Sequence, residues 1–264
     1  MDTTNMPILY TCRDGIARIR FNRPSALNAI DEEMAKALCC IATGLVDNRD
    51  VRVVVVSGEG AAFMAGGDLA RFHRDKARAA RTADAIIKPV NSALALLAAL
   101  PQPTIASVHG AVAGAGVSMA LACDLCIAAD DTQFNLAYAR IGACPDAGGT
   151  WSLPRVVGTR KALELVLLSE SFGADEALRL GIVNKVVARD GLEDATEALA
   201  GRLAAGPTHA YGQIKRLIHG SFASRFEDQL DAERKAFCAC AGTADFAEGV
   251  DAFFGKRRPV FSGA

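Results

Sequence analysis

The chain has 264 residues, half of them apolar, with a formal net charge of −1 and eight cysteines. That length can bury one sizeable core, and a near-balanced charge removes the electrostatic basis for a nucleic-acid partner. Residues Met1 to Tyr10 carry Asp2 and no apolar run of leader length, and Ser262-Gly263-Ala264 is not an organelle address, so the expectation is a cytoplasmic protein.

In chain order, Ile8 to Cys12 and Ile16 to Phe21 alternate around Asp14-Gly15, which predicts a hairpin. Asp31 to Leu45 has helical spacing behind an Asp in capping position. Val51 to Ser57 is a Val-rich run of the kind buried on both sheet faces. Arg71 to Leu100 reads as one helix stopped by Pro101 and Pro103. A strand over Thr104 to Val108, a helix from about Ala115 and a strand over Leu125 to Ala128 follow. From Lys161 onward the chain is mostly helical, with one strand-like piece at Val183 to Val187.

Ile105 to Cys123 is long and nearly uncharged, and it holds the small pair Gly110 and Gly114. Its Ala and Gly content, His109 inside it and Asp124 at its end fit a strand, a glycine turn and a buried helix better than a membrane span. Cys123-x2-Cys126 and Cys238-x-Cys240 lack partners spaced as a zinc site or a redox pair, so buried reduced thiols are expected and no metal site is assigned.

The two glycine-rich segments carry the chemistry. Ala62-Phe63-Met64-Ala65-Gly66-Gly67-Asp68-Leu69 follows one strand, and His109-Gly110-Ala111-Val112-Ala113-Gly114-Ala115-Gly116 follows the next and opens a helix. Glycine allows close approach to backbone N–H groups, and a helix start leaves such donors unpaired. Two converging donors make an oxyanion hole for charge developing on a carbonyl oxygen. Gly116-Val117-Ser118-Met119-Ala120 also approximates a nucleophile elbow, which keeps a serine hydrolase using Ser118 open as an alternative. Gly114-x-Gly116-x-x-Met119 fails as a dinucleotide fingerprint at its third small position.

These segments, with Phe21-Asn22-Arg23-Pro24, Leu27-Asn28-Ala29, Cys123-Asp124, Ile141-Gly142-x2-Pro145-Asp146-x-Gly148-Gly149-Thr150, Ala177-x2-Leu180-Gly181-x-Val183-Asn184 and Lys256-Arg257-x-Pro259-x-Phe261, resemble the enoyl-CoA hydratase/isomerase (crotonase) superfamily over almost the whole chain. The resemblance implies an α/β fold, a spiral of β-β-α turns with a C-terminal helical trimerisation region. Residues 1–195 would form the acyl-CoA-binding core, and 196–264 the helical region of the same domain. It implies an acyl-CoA thioester substrate, no cofactor beyond the CoA of that substrate, and a homotrimer or dimer of trimers.

Carried over by position, the oxyanion donors are the N–H groups of Gly67 and Ala115. The two hydratase glutamates are replaced by Ser118 and Tyr138, and Asp146 matches the catalytic aspartate of dienoyl-CoA and ring-epoxide isomerases and of chlorobenzoyl-CoA dehalogenases. The dehalogenases' histidine position holds Ala95 here. An enoyl-CoA isomerase with Asp146 as proton shuttle is therefore the expected activity. A hydratase or lyase, the Ser118 hydrolase and a non-catalytic acyl-CoA binder are the alternatives, and Asp146 as a mere cap of the helix near Gly149 is the structural one. Substrate contacts are expected along Ala26, Leu27, Ala65, Gly66, Asp68, Leu69 and Gly114, with Ser118 and Tyr138 at the acyl group and Lys256 at a CoA phosphate. Arg71, Arg74, Lys76, Arg78 and Arg81 either attract the anionic ligand or form a solvated helix face.

Overall fold

A computed structural model describes residues 6–263. Residues 1–5 and 264, on which the leader and terminal-address readings partly rest, lie outside it. The hairpin forms as expected, β1 (Ile8–Arg13) pairing antiparallel with β2 (Ile16–Phe21). Asp14 (φ 53°) and Gly15 (φ 74°) supply the two left-handed residues of a tight hairpin turn.

From β2 the chain winds a repeated turn that gives one strand to each of two sheets. The larger sheet has the order β1-β2-β3-β5-β7-β10, parallel from β2 onward, with β3 at Val53–Gly58, β5 at Thr104–Val108, β7 at Leu125–Ala129 and β10 at Lys185–Val187. The smaller has the order β4-β6-β8-β9, with β4 at Ala62–Met64, β6 at Ala111–Ala113, β8 at Gln133–Asn135 and β9 at Phe172–Gly173. Each glycine segment thus contains a short strand of the second sheet that its sequence, dominated by Ala and Gly, does not signal.

The period-2 alternation of a strand explains the two-sided burial of β3. Val54 and Val56 enter the main core with Met34, Leu38, Ala42 and Leu45 of α1 (Glu32–Val46) and with Ile86, Val90 and Leu97 of α3 (Ala79–Ala99). Val53 and Val55, with Ile16 and Ile105, face Ala200 of α8 (Leu192–Ala204) on the other side. The boundary drawn between residues 195 and 196 therefore falls inside α8, a helix whose buried face belongs to the core.

The stretch expected as one helix from Arg71 to Leu100 is broken. Helix α2 (Leu69–Arg74) ends at Asp75, whose carboxylate accepts from the Arg78 N–H, and a short 3₁₀ turn at Lys76–Arg78 precedes α3. Asp competes with helical bonding in this way, which the apolar periodicity cannot report. Ile105 to Cys123 resolves into β5, β6 and α4 (Ala115–Ala122), and no helix among the described residues is long and apolar enough to cross a membrane. The thiols are less buried than expected: Cys126 is buried, whereas Cys12, Cys40, Cys144 and Cys238 are exposed. Burial pushes the Cys123 thiol up to about 12.

After β8 come α5 (Gly149–Val157), α6 (Thr159–Leu168) and α7 (Ala174–Arg179), then, beyond α8, α9 (Thr208–Ser221), α10 (Phe226–Ala241) and α11 (Ala244–Phe254). The loop between β2 and α1 is held by Asn28, fully buried at φ 56°. Its Oδ1 accepts from Arg23 N at 2.8 Å, and its Nδ2 donates to Glu59 O at 2.9 Å and Ala62 O at 2.7 Å. Asn28→Ala takes this partner from the buried Ala62 O and from the partly buried Arg23 N and Glu59 O, and places Ala in a left-handed conformation. It should lower the unfolding free energy by about 3 kcal/mol in urea denaturation at fixed protein concentration.

Candidate active site

Gly67 sits in the loop between β4 and α2, which is zipped to residues 27–30. Ala65 N donates to Leu27 O at 3.0 Å, Ile30 N to Gly66 O at 2.7 Å and Asp68 N to Ile30 O at 2.9 Å. In this parallel bridge the Gly67 N–H points away from the partner segment, and it has no acceptor among the described residues. Ala115 opens α4, and its N–H belongs to the first turn, where no intrahelical acceptor exists. It too has no acceptor among the described residues.

Glycine at 66 brings the two donors together. Its φ of +89° is a left-handed conformation, and a Cβ there would lie 3.1 Å from Ala113 O and 3.6 Å from Ala115 N. A Cβ on Gly114 would lie 3.7 Å from the Cα of Gly66 and 3.8 Å from the Cζ of Tyr138. Both loops and the tip of the phenol therefore converge on one small region.

Tyr138 and Asp146 complete it. The Tyr138 hydroxyl donates to Asp146 Oδ1 at 2.6 Å, with the Ser118 hydroxyl 3.4 Å from the phenol oxygen. Burial, followed by the Asp146 charge and the bond to it, pushes the Tyr138 hydroxyl well above its ordinary value. The phenol is thus a fixed donor, not a base.

The loop carrying Asp146 is itself constrained. Ala143 N donates to Tyr138 O at 3.0 Å, and Gly149 N donates to Asp146 O at 2.9 Å. Buried Ala147 at φ 50° and Gly148 at φ 77° turn the chain into α5. A left-handed alanine costs about 1–2 kcal/mol and persists where the surroundings over-determine it. The residue capping α5 is Gly148, without a side-chain bond, so the alternative of Asp146 as a helix cap is corrected.

Ser118 is fully buried, and the hydrogen bond recorded for its hydroxyl is to Tyr138, not to an imidazole. His109 is engaged with Gly60 O at 2.9 Å, and His219 lies 3.7 Å from Asp124. The geometry of a serine hydrolase is absent from these contacts. Leu27 and Leu69 are exposed on the approach to Gly67, and Ala26 and Ala65 are half-buried beside them.

Asp68 is committed to structure instead: it caps α2 through Ala70 N at 3.1 Å and accepts from Arg23 at 2.9 Å. Arg23, whose guanidinium also lies 3.2 Å from Asp31 and donates to Ala29 O, is a site-building residue that motif reading passes over. In the sequence Arg23 stands between Asn22 and Pro24, and its two acids, Asp31 and Asp68, reach it only through the fold. Of the basic cluster, Arg71 pairs with Glu32 at 2.9 Å and Arg78 with Asp75 at 3.6 Å, the pattern of a solvated helix face. Lys256 stands exposed after α11 with no ion-pair partner among the described residues, and no contact within the chain joins it to the site.

Behind the loop of Asp146 lies a cavity of about 890 Å³. Ala147 and Gly148 form one side, the Ala-rich face of α3 another, and α9 the far wall.

The chain matches the family model described as enoyl-CoA hydratase/isomerase over residues 11–264. It is 36% identical to the 1,2-epoxyphenylacetyl-CoA isomerase of Escherichia coli K12 over 257 residues, covering 97% of this chain and 98% of that one. It is likewise 36% identical to a probable enoyl-CoA hydratase of Rhodobacter capsulatus over 260 residues, with the same shares covered. Among solved structures it superposes on an enoyl-CoA hydratase from Polaromonas sp. JS666 with a TM-score of 0.91 at 34% identity, covering 96% of this chain and 99% of that one.

Gly66→Ala would put a Cβ into the gap between the two loops at a left-handed φ. It should cost about 1–2 kcal/mol of stability, read as a lowered Tm, without altering the helical content seen by circular dichroism.

Proposed function

Because the chain belongs to the enoyl-CoA hydratase/isomerase family, we propose that this family enzyme is an isomerase that shifts a double bond along the acyl chain of a CoA thioester. The observation that carries the reading is the Asp146 carboxylate held at 2.6 Å by a phenol that cannot itself act as a base. Asp146 takes a proton from the α-carbon. The electron pair spreads into a dienolate whose thioester oxygen accepts from the N–H groups of Gly67 and Ala115. The carboxylic acid then returns the proton to the γ-carbon, and the carboxylate is restored. Nothing beyond the substrate's own CoA is required.

Positioned general acid–base catalysis supplies about 10²–10⁴-fold, and one oxyanion donor is worth about 3–4 kcal/mol in the transition state. Water addition asks for one group to activate water while another protonates carbon. Here the two positions that hold glutamates in hydratases present a sealed serine and a protonated phenol.

The C-terminal helices expose Phe237, Phe246, Phe253 and Phe254 on α10 and α11. Aromatic surface of this size fits an interface between copies, a homotrimer or a dimer of trimers, with Lys256 reaching a neighbour's CoA phosphate.

Asp146→Asn should abolish both double-bond migration and deuterium exchange from D₂O into a panel of linear and ring-type enoyl-CoA esters, followed by mass spectrometry. Water addition that survives the substitution would mark a hydratase, and an inert wild type that still binds the esters would mark a binder. Tyr138→Phe removes the donor that orients the Asp146 carboxyl. Double-bond migration should slow about tenfold in kcat with KM little changed. An unchanged kcat would show that the phenol does not act through Asp146.

A further inference from the structure

The far wall of the cavity differs in chemistry from the rest. The α3 side is built of small and apolar residues such as Leu94, Ala95 and Ala98, which leaves room for a bulky acyl group. The α9 side presents His209, Gln213, Arg216 and His219. Spacings of four, three and three residues place these on one helical face. That face is fixed. Gly212 lies so close to Pro101 that an added Cβ would be 2.6 Å from its side chain, and Lys215 donates to Gln102 O at 2.8 Å and pairs with Asp124 at 2.7 Å.

The charges on this wall are not balanced from within the cavity. No Asp or Glu lines it. Lys215 is neutralised by Asp124, which stands behind it and also faces His219 at 3.7 Å. Burial works against the charge of Asp124, but the bonds from His219, Lys215 and Thr104 outweigh it and hold its carboxyl below the ordinary range. Arg216 has no carboxylate partner among the described residues, and its guanidinium donates to Gln213 Oε1 at 2.6 Å, which holds the fork in place. His209 Nε2, though without a hydrogen-bond partner, is sealed from the cavity. A guanidinium without a carboxylate partner, on the basic wall of a cavity that no acid lines, is a receptor for an acceptor oxygen.

We propose that the acyl group taken by this enzyme ends in a carboxylate, received by Arg216 on the α9 wall while the α,β,γ carbons lie at Asp146. The inference rests on the reading of Asp146 as the reacting group and adds the substrate's distal chemistry. A carboxylate there would pair with the guanidinium, so the terminal charge gains where a methyl terminus would leave that group unmet.

The test uses 3-enoyl-CoA esters of increasing chain length, each made with a methyl and with a carboxylate terminus. Dissociation constants come from calorimetry and kcat/KM from double-bond migration. At the length that spans the cavity, the wild type should favour the carboxylate ester by about tenfold in both quantities. In Arg216→Gln, an exposed position, the ratio should fall toward one. Equal treatment of the two termini by the wild type overturns the inference, as does a preference that Arg216→Gln leaves intact. A binding preference without any turnover would sink the isomerase reading and leave the distal receptor standing. Turnover with no preference for terminus would do the reverse.

Discussion

Two backbone N–H groups that find no acceptor among the described residues, at Gly67 and Ala115, constrain the rest of the fold. An unpaired donor is costly if buried, so such a pair persists only where the surrounding chain cannot rotate to satisfy it. The structure meets that condition by saturating everything nearby. Residues 65–68 bond to 27–30 on three backbone groups, Asn28 ties the same loop to Glu59 and Ala62, and Arg23 joins Asp31 to Asp68. The two-sheet spiral places successive strand ends side by side, so loops after β4 and β6 can meet although nearly fifty residues separate them.

Against these donors the side-chain chemistry is sparse. Asp146 is one carboxylate on a tight, partly left-handed loop, aimed by a phenol whose burial keeps its proton. The two tyrosine roles reinforce each other: the more strongly burial disfavours phenolate, the more reliably Tyr138 donates to the aspartate. Ser118 sits beneath them and packs on Gly149, where an added Cβ would approach its hydroxyl to 2.5 Å. The arrangement positions one proton acceptor and excludes a second of comparable strength.

The sequence made the long parallel strands legible because Val-rich runs such as 53–56 leave no other reading. It also exposed the capped start of α1 and both glycine loops, since these depend on local chemistry. What it hid was long-range or competitive. The strands β4, β6 and β8 are three residues each and are made by their neighbours rather than by propensity. The break at Asp75 depends on one carboxylate winning over the helix. The boundary at 195/196 could not register the face of Ala200 that packs on Ile16 and Val53, which only the folded sheet creates. At the site, position and residue type pointed to Asp146 and Tyr138 separately. Their bond, eight residues apart across a turn, required the loop geometry to be seen.

Equal identity to an isomerase and to a probable hydratase is what this division of labour predicts. In the proposed mechanism the oxyanion donors belong to the backbone, so they would survive any change of side chain at 115 that keeps the helix start and would serve every reaction that passes through a thioester enolate. On the proposed reading the direction of the chemistry rests on very few side chains, those at 118, 138 and 146, whose contribution to whole-chain identity is negligible. On the isomerase reading proposed above, the one mobile proton belongs to Asp146 and the serine is sealed, so the second group that water addition needs is missing while the two backbone donors remain.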